Sequence, residues 1–219
     1  MMYDSYNVYK CTNCDYHVSI PTVISQNTFG AKVYSDAKVV APMLENRNDL
    51  AKCKTCQTFF WLRSENKIGA YGTEDEHHSL RKSSDSLISI VDNFNIYDFF
   101  KALVQNNLVT NKDYEIYIRK HIMWLYNDRI RFDQNIFQEE HDEKLWKDNL
   151  KKLYNLLDDT DKNLMLKAEI QRNLGDFENC LEILKNIHND ELNSIKEKLI
   201  YECKKKNRQV IDLKYEEEF

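Results

Sequence analysis

CTNC at residues 11–14 and CKTC at residues 53–56 decide how the front of this chain folds. Each pair brackets two residues, a spacing that lets a tight knuckle aim both sulfurs at one point. Two knuckles on neighbouring hairpins complete a tetrahedron, so Cys11, Cys14, Cys53 and Cys56 are the expected ligands of one structural Zn²⁺. Four thiolates close the coordination shell, which disfavours hydrolytic chemistry at the metal.

The same ligands would serve an iron site of rubredoxin type, and reduced cysteines without metal are a further alternative. The two pairs lie 38 residues apart, beyond the about 15–20 of a simple ribbon. The intervening segment must therefore hold extra strands or a folded loop. Asp15 and Gln57 stand after the second cysteine of each knuckle, where glycine is common because a left-handed backbone is easiest for it.

Outward from the cysteines the runs are strand-like. His17-Val18-Ser19-Ile20 alternates, Phe59-Phe60-Trp61-Leu62 reads as a buried strand, and residues 1–10 read as a lead-in strand or tail. Ala31 to Ala41 is rich in β-branched and aromatic residues around a turn signal at Ser35-Asp36. Both prolines and three of the four glycines fall in the first 72 residues, which places turn-rich structure at the front and long helices behind. The fold class expected is α+β: a zinc-ribbon-like β domain over residues 1–66, a linker over 67–86 and an antiparallel helical domain over 87–219.

Helical spacing accounts for the rest. Ile96, Phe99, Phe100 and Leu103 share a face behind an Asn95 cap. Tyr114, Tyr117, Ile118, His121 and Leu125 follow after Thr110 or Asn111. Trp146, Leu150, Leu153 and Leu157 form a third stripe, and Leu164, Ala168 and Gln171 a fourth that ends at Gly175. Phe177, Leu181 and Leu184 begin a fifth, and Leu192, Ile195, Leu199 and Cys203 make a sixth. The acidic tail DLKYEEEF is expected to fray.

The net charge is -5, but residues 1–82 hold 10 basic and 9 acidic side chains. A near-neutral front and an acidic back supply no strong field for nonspecific nucleic-acid binding. The start lacks a signal-peptide pattern, and no apolar run approaches the roughly 20 residues of a membrane span, so a cytoplasmic protein is expected. In that compartment paired cysteines favour metal over disulfides.

Other reactive-looking residues have plainer readings. His77-His78 sits after an acidic run in the linker and reads as a solvated loop. His121 reads as a hydrogen-bonded core histidine, and His141, within EEHDE, as part of a solvated helix start. His17 follows the first knuckle, but four cysteines already suffice. Cys180 and Cys203 read as small buried hydrophobes. No phosphate loop, nucleophile elbow, zinc-protease motif or dinucleotide fingerprint is present.

The run MLKAEIQRNLGDFENCLEILKNI at 165–187 resembles one tetratricopeptide helix-turn-helix unit, over about 161–188: small residues at Ala168 and Cys180, with Gly175 and Phe177 at the turn. Leu164 stands where that repeat usually has tryptophan, and the helix-ending proline is missing. The whole chain is similar to a family of uncharacterised bacterial cytosolic proteins. The first CxxC, SQNTFGAKVYSDAKVVAPML at 25–44, CKTCQTFFWL at 53–62 and IRKHIMWLYNDRIR carry that resemblance. It implies a zinc ribbon joined to a repeat-like helical domain and no established activity.

Three functions are open. A non-catalytic protein-interaction adaptor is the leading one, with Asn27, Tyr34, Ser35 and Asp36 as a partner surface on the excursion between the knuckles. Nucleic-acid binding would draw on Lys10, Lys32, Lys38, Arg47, Lys52, Lys54 and Arg63, with Tyr34 and Trp61 to stack on bases. An enzyme with an interdomain pocket is the third.

Overall fold

The computed structural model describes residues 2–45, 48–71 and 94–213. Within them the chain is α+β, a small strand region that carries the cysteines followed by six helices. It divides into two compact units. Unit 1 comprises Met1–Ala31, Ala41–Phe94 and Val104–Leu108. Unit 2 comprises Lys32–Val40, Asn95–Leu103 and Val109–Phe219.

Unit 1 contains two cysteine-tipped hairpins. Strand β1 (Met2–Lys10) pairs antiparallel with β2 (His17–Ser25), with Lys10 opposite His17, so the first knuckle is the hairpin turn. The second hairpin repeats the plan. β5 (Leu50–Lys52) pairs with β6 (Phe59–Trp61), and Lys52 lies opposite Phe59. β6 is buried throughout because its three residues are aromatic.

Residues 2–10 take the strand of the two readings given above: β1 is the centre of a three-stranded sheet, with β2 on one side and a third strand on the other. One boundary differs from the sequence reading. Lys67–Tyr71, assigned above to the linker, form β7 and pair with β1, which otherwise would have a bare edge. The remainder of the linker, with His77 and His78, lies outside the described residues. In the same unit, Trp61 Nε1 donates to the Leu108 carbonyl at 2.9 Å, and the Gln105 amide bonds both backbone groups of Phe59.

Unit 2 takes its first segment from between the knuckles. β3 (Lys32–Val33) and β4 (Val39–Val40) form a short hairpin around residues 34–38, closed by Tyr34 N–H to Lys38 O at 2.9 Å. The helices are α1 (Ile96–Val104), α2 (Lys112–Arg131), α3 (Asp142–Leu156), α4 (Asp161–Leu174), α5 (Phe177–Lys185) and α6 (Asn193–Lys204). Asn95 and Asp98 cap α1 reciprocally, and the Asn111 side chain accepts from Tyr114 N–H at the start of α2. Gly175, at φ 87, ends α4 in the left-handed conformation that a residue with a Cβ resists. Only Gly175 and Asp176 separate α4 from α5, and the two helices pack together, so the chain reverses there. Met165, Ala168, Cys180, Leu184, Ile187, Leu199 and Cys203 form the core among α4, α5 and α6.

The start of the expected frayed tail is in fact paired. Leu213 N–H bonds Val33 O at 2.7 Å, and Asp212 bridges Tyr34. The remaining tail lies outside the described residues. Among those described, no helix is long and apolar enough to cross a membrane.

Candidate metal centre

The two knuckles have the same backbone plan. Cys11 N–H bonds Tyr16 O at 2.8 Å, and Cys53 N–H bonds Thr58 O at 2.9 Å, each closing a loop across one CxxC. Gln57 adopts φ 60, so the second knuckle uses the left-handed conformation even without glycine. Asp15 does not; its carboxylate instead pairs with Lys10 Nζ at 2.6 Å, in the open.

These turns bring four sulfurs together. All four Sγ atoms lie within 4.8 Å of one another. Cys11 lies 3.6 Å from Cys56, and Cys14 lies 3.6 Å from Cys53. A tetrahedron with metal–sulfur bonds of about 2.3 Å has an edge of about 3.8 Å, so these spacings suit one ion. A disulfide needs about 2.05 Å, and all four thiols are free. Cys11 and Cys53 are buried against Val18, Ile20, Ala51 and Phe60, whereas Cys14 and Cys56 are half-buried.

The surroundings bias the thiols unequally. Burial pushes the Cys11 thiol up to about 12, against the pull of the Asn13 and Cys14 N–H groups. Burial also opposes ionisation of Cys56, but the Thr58 hydroxyl and N–H, with Asn13, outweigh it and bring that thiol down to about 6. Thr58 Oγ1 lies 3.3 Å from Cys56 Sγ. N–H groups of Asn13 and Cys56 approach Cys11 Sγ and Cys53 Sγ at 3.4 and 3.5 Å. Such contacts favour thiolates, the form that binds metal. Thr58 and Asn13 were missed in the sequence reading; Thr58 occupies the same place after Cys56 that Tyr16 occupies after Cys14, and that symmetry is visible in the chain.

The proposed partner-surface residues are scattered. Asn27 is half-buried in unit 1, where its Oδ1 accepts from Phe29 N–H at 3.1 Å. Tyr34, Ser35 and Asp36 belong to unit 2, and Ser35 and Asp36 are buried there. Ser35 Oγ donates to Glu169 at 2.7 Å and accepts from Ile211 N–H at 3.1 Å. Asp36 accepts from Asn127 at 2.8 Å and pairs with Arg131, whose guanidinium lies 4.3 Å from the Tyr34 ring centroid. These groups are occupied in holding the β3–β4 hairpin. Of the basic residues, Lys38 is buried and neutralised by Asp128 at 2.6 Å, Trp61 is buried, and Arg47 lies outside the described residues.

Two further polar centres of unit 2 went unread. Arg172 and Glu169, both fully buried, pair at 2.7 Å. Arg172 also donates to the carbonyls of Asn207 and Gln209 at 2.6 and 2.7 Å, fixing the segment after α6. Burial pushes the Glu169 carboxyl up, against the opposing pull of Arg172 and Ser35. Charges inside the run AEIQR were the available signal. Asp142, expected in a solvated helix start, is fully buried. It accepts from the Tyr97 and Tyr126 hydroxyls, from Arg129 and from the N–H groups of Gln138 and Glu139. Burial alone would raise its pKa, but Gln138 N–H, Arg129 and Tyr97 outweigh that and hold it well below the usual carboxylate range. His121 is half-buried, stacked 5.2 Å from the Phe99 ring centroid, with Nδ1 2.9 Å from Tyr117 O.

Comparison with known proteins returns no match: no family model fits the chain, and no curated protein or solved structure is similar to it at a significant level.

Proposed function

We propose that this chain is a non-catalytic protein-interaction adaptor of the bacterial cytoplasm whose cysteine-bearing unit is held by one structural Zn²⁺. Four sulfurs around one point favour Zn²⁺ and leave it no open position for substrate. The α4–α5 hairpin, with Ala168 and Cys180 fully buried around the Gly175 turn, serves as a tetratricopeptide-like unit.

The observation that carries the adaptor reading is Phe29, 83% exposed on a hydrogen-bonded loop of the cysteine-anchored unit. Its position is fixed by Phe29 N–H to Asn27 Oδ1 and by Ala31 N–H to Thr28 O at 2.9 Å. A hollow of 370 Å³ lined by Gln26, Asn27, Thr28, Phe29 and Leu44 lies beside it. An exposed aromatic on a hydrogen-bonded loop suits the anchor of a protein interface.

Affinity capture of the native chain, with nuclease treatment, tests this. The expected result is a stoichiometric protein that survives nuclease and is lost with Phe29→Ala while the variant stays folded. Retention of that partner by Phe29→Ala, or recovery of the chain only as a lone monomer, contradicts the reading.

A further inference from the structure

We propose that Cys180 and Cys203 form a reversible thiol–disulfide site, oxidised by small disulfides such as oxidised glutathione through a surface cavity that reaches Cys203. Cys180 lies on α5 and Cys203 near the end of α6, in the core with Leu184 and Leu199. Their sulfurs face each other at 2.9 Å, within about 0.9 Å of bonding distance. Among the described residues the only cluster suited to a metal is the N-terminal one, so this pair lacks the further ligands an ion would need.

Access distinguishes the two thiols. A cavity of 440 Å³ is lined by Gly175, Phe177, Cys203, Lys204 and Lys206, among others. Cys203 borders it and Cys180 does not. The two thiols share one hydrogen bond and titrate as a pair, so access, not acidity, sets which sulfur is attacked first. Lys204 and Lys206 border the cavity together with Asp176 and Glu178, so its rim offers charges of both signs to a zwitterionic disulfide, and Asp176 is also engaged in capping α5 through Asn179.

The chemistry is thiol–disulfide exchange. The Cys203 thiolate attacks one sulfur of the glutathione disulfide. That bond breaks, one glutathione thiolate leaves and takes up a proton, and Cys203 carries the other glutathione. Cys180 then gives its proton to solvent and attacks Cys203 Sγ, expelling the second glutathione. Two protein thiols are oxidised, and one disulfide is reduced to two thiols. The product cross-links α5 to α6 where they already touch.

The test treats the zinc-loaded full chain with oxidised glutathione, blocks free thiols, and maps peptides without reduction while zinc content is followed. The expected product joins the peptides containing Cys180 and Cys203 and leaves the N-terminal zinc in place. In Cys180→Ser a glutathione adduct should remain on Cys203, forming at least about tenfold faster than any adduct on Cys180 in Cys203→Ser. Recovery of both residues as free thiols in the wild-type chain overturns the proposal, whatever happens at the zinc ligands. Equal adduct rates in the two variants overturn the entry route through the cavity.

Discussion

The two units solve one problem in opposite ways. Unit 1 gathers four thiols that, as thiolates, would repel one another, with Lys10 acting on Cys14 only from the open. Unit 2 gathers buried carboxylates and supplies the counter-charges itself: Arg172 for Glu169, Arg131 for Asp36, Arg129 for Asp142. On the proposed reading the first arrangement is completed by an ion from solution; the second is complete in the covalent chain. The difference teaches where each unit should be vulnerable: unit 1, with the proposed zinc, to chelation and oxidation, and unit 2 to loss of one member of a buried pair.

The largest effect should come from the four clustered cysteines, the ligands of the proposed zinc. Structural zinc supplies about 10–16 kcal/mol of binding energy in small modules, more than such a unit can replace. Cys53→Ser, or strong chelation, should abolish protection of amide hydrogens in β1, β2, β5 and β6 while leaving α3 to α6 protected. Hydrogen exchange read by mass spectrometry distinguishes this from global unfolding.

Arg172→Met should come next. It leaves Glu169 buried without its partner and frees the carbonyls of Asn207 and Gln209, a loss of about 3–5 kcal/mol in denaturant melts of the helical signal. The zinc content should not change. If it falls in step with helical stability, the effect of losing this buried pair is not confined to unit 2.

These two predictions bear on how much could be read from the chain. The cluster of four cysteines was legible because cysteine spacing is local and because few other roles explain paired CxxC motifs. The six helices were legible from apolar periodicity and from Asn111 and Gly175 at their ends. The fate of residues 32–40 was not. A turn signal at Ser35-Asp36 says that the chain reverses, but nothing local says that Ser35 meets Glu169, 134 residues away. Asp142 misled for the same reason. In sequence it belongs to an acidic run, and only the fold surrounds it with two tyrosines and an arginine. Strand β7 was hidden because its partner β1 lies at the other end of unit 1.

A third effect depends on pH. The Asp142 carboxyl is held below its unfolded value of about 3.9, so its contribution is fully present above that pH and is lost as pH falls through the folded value. Asp142→Asn should cost about 2–3 kcal/mol at neutral pH and flatten the acid limb of unit 2 stability below pH of about 4. Urea melts at several pH values check both. An unchanged acid limb would mean that other carboxylates control acid unfolding.

Smaller effects are expected at two left-handed positions, one in each unit. Gly175→Ala should destabilise unit 2 by about 1–2 kcal/mol, because φ is 87 and an added Cβ would lie 3.4 Å from Arg208 Nε. Gln57→Gly should do the reverse in unit 1, a gain of at most about 1 kcal/mol, since φ 60 suits glycine. Thermal melts of zinc-loaded protein read both.

The most direct measurement is X-ray absorption at the metal edge of protein purified without added metal. One zinc per chain with four sulfur neighbours at about 2.3 Å is the result expected, with the signal lost in Cys53→Ser. Iron at the site, nitrogen or oxygen neighbours in place of sulfur, or folded unit 1 with no metal bound would contradict it.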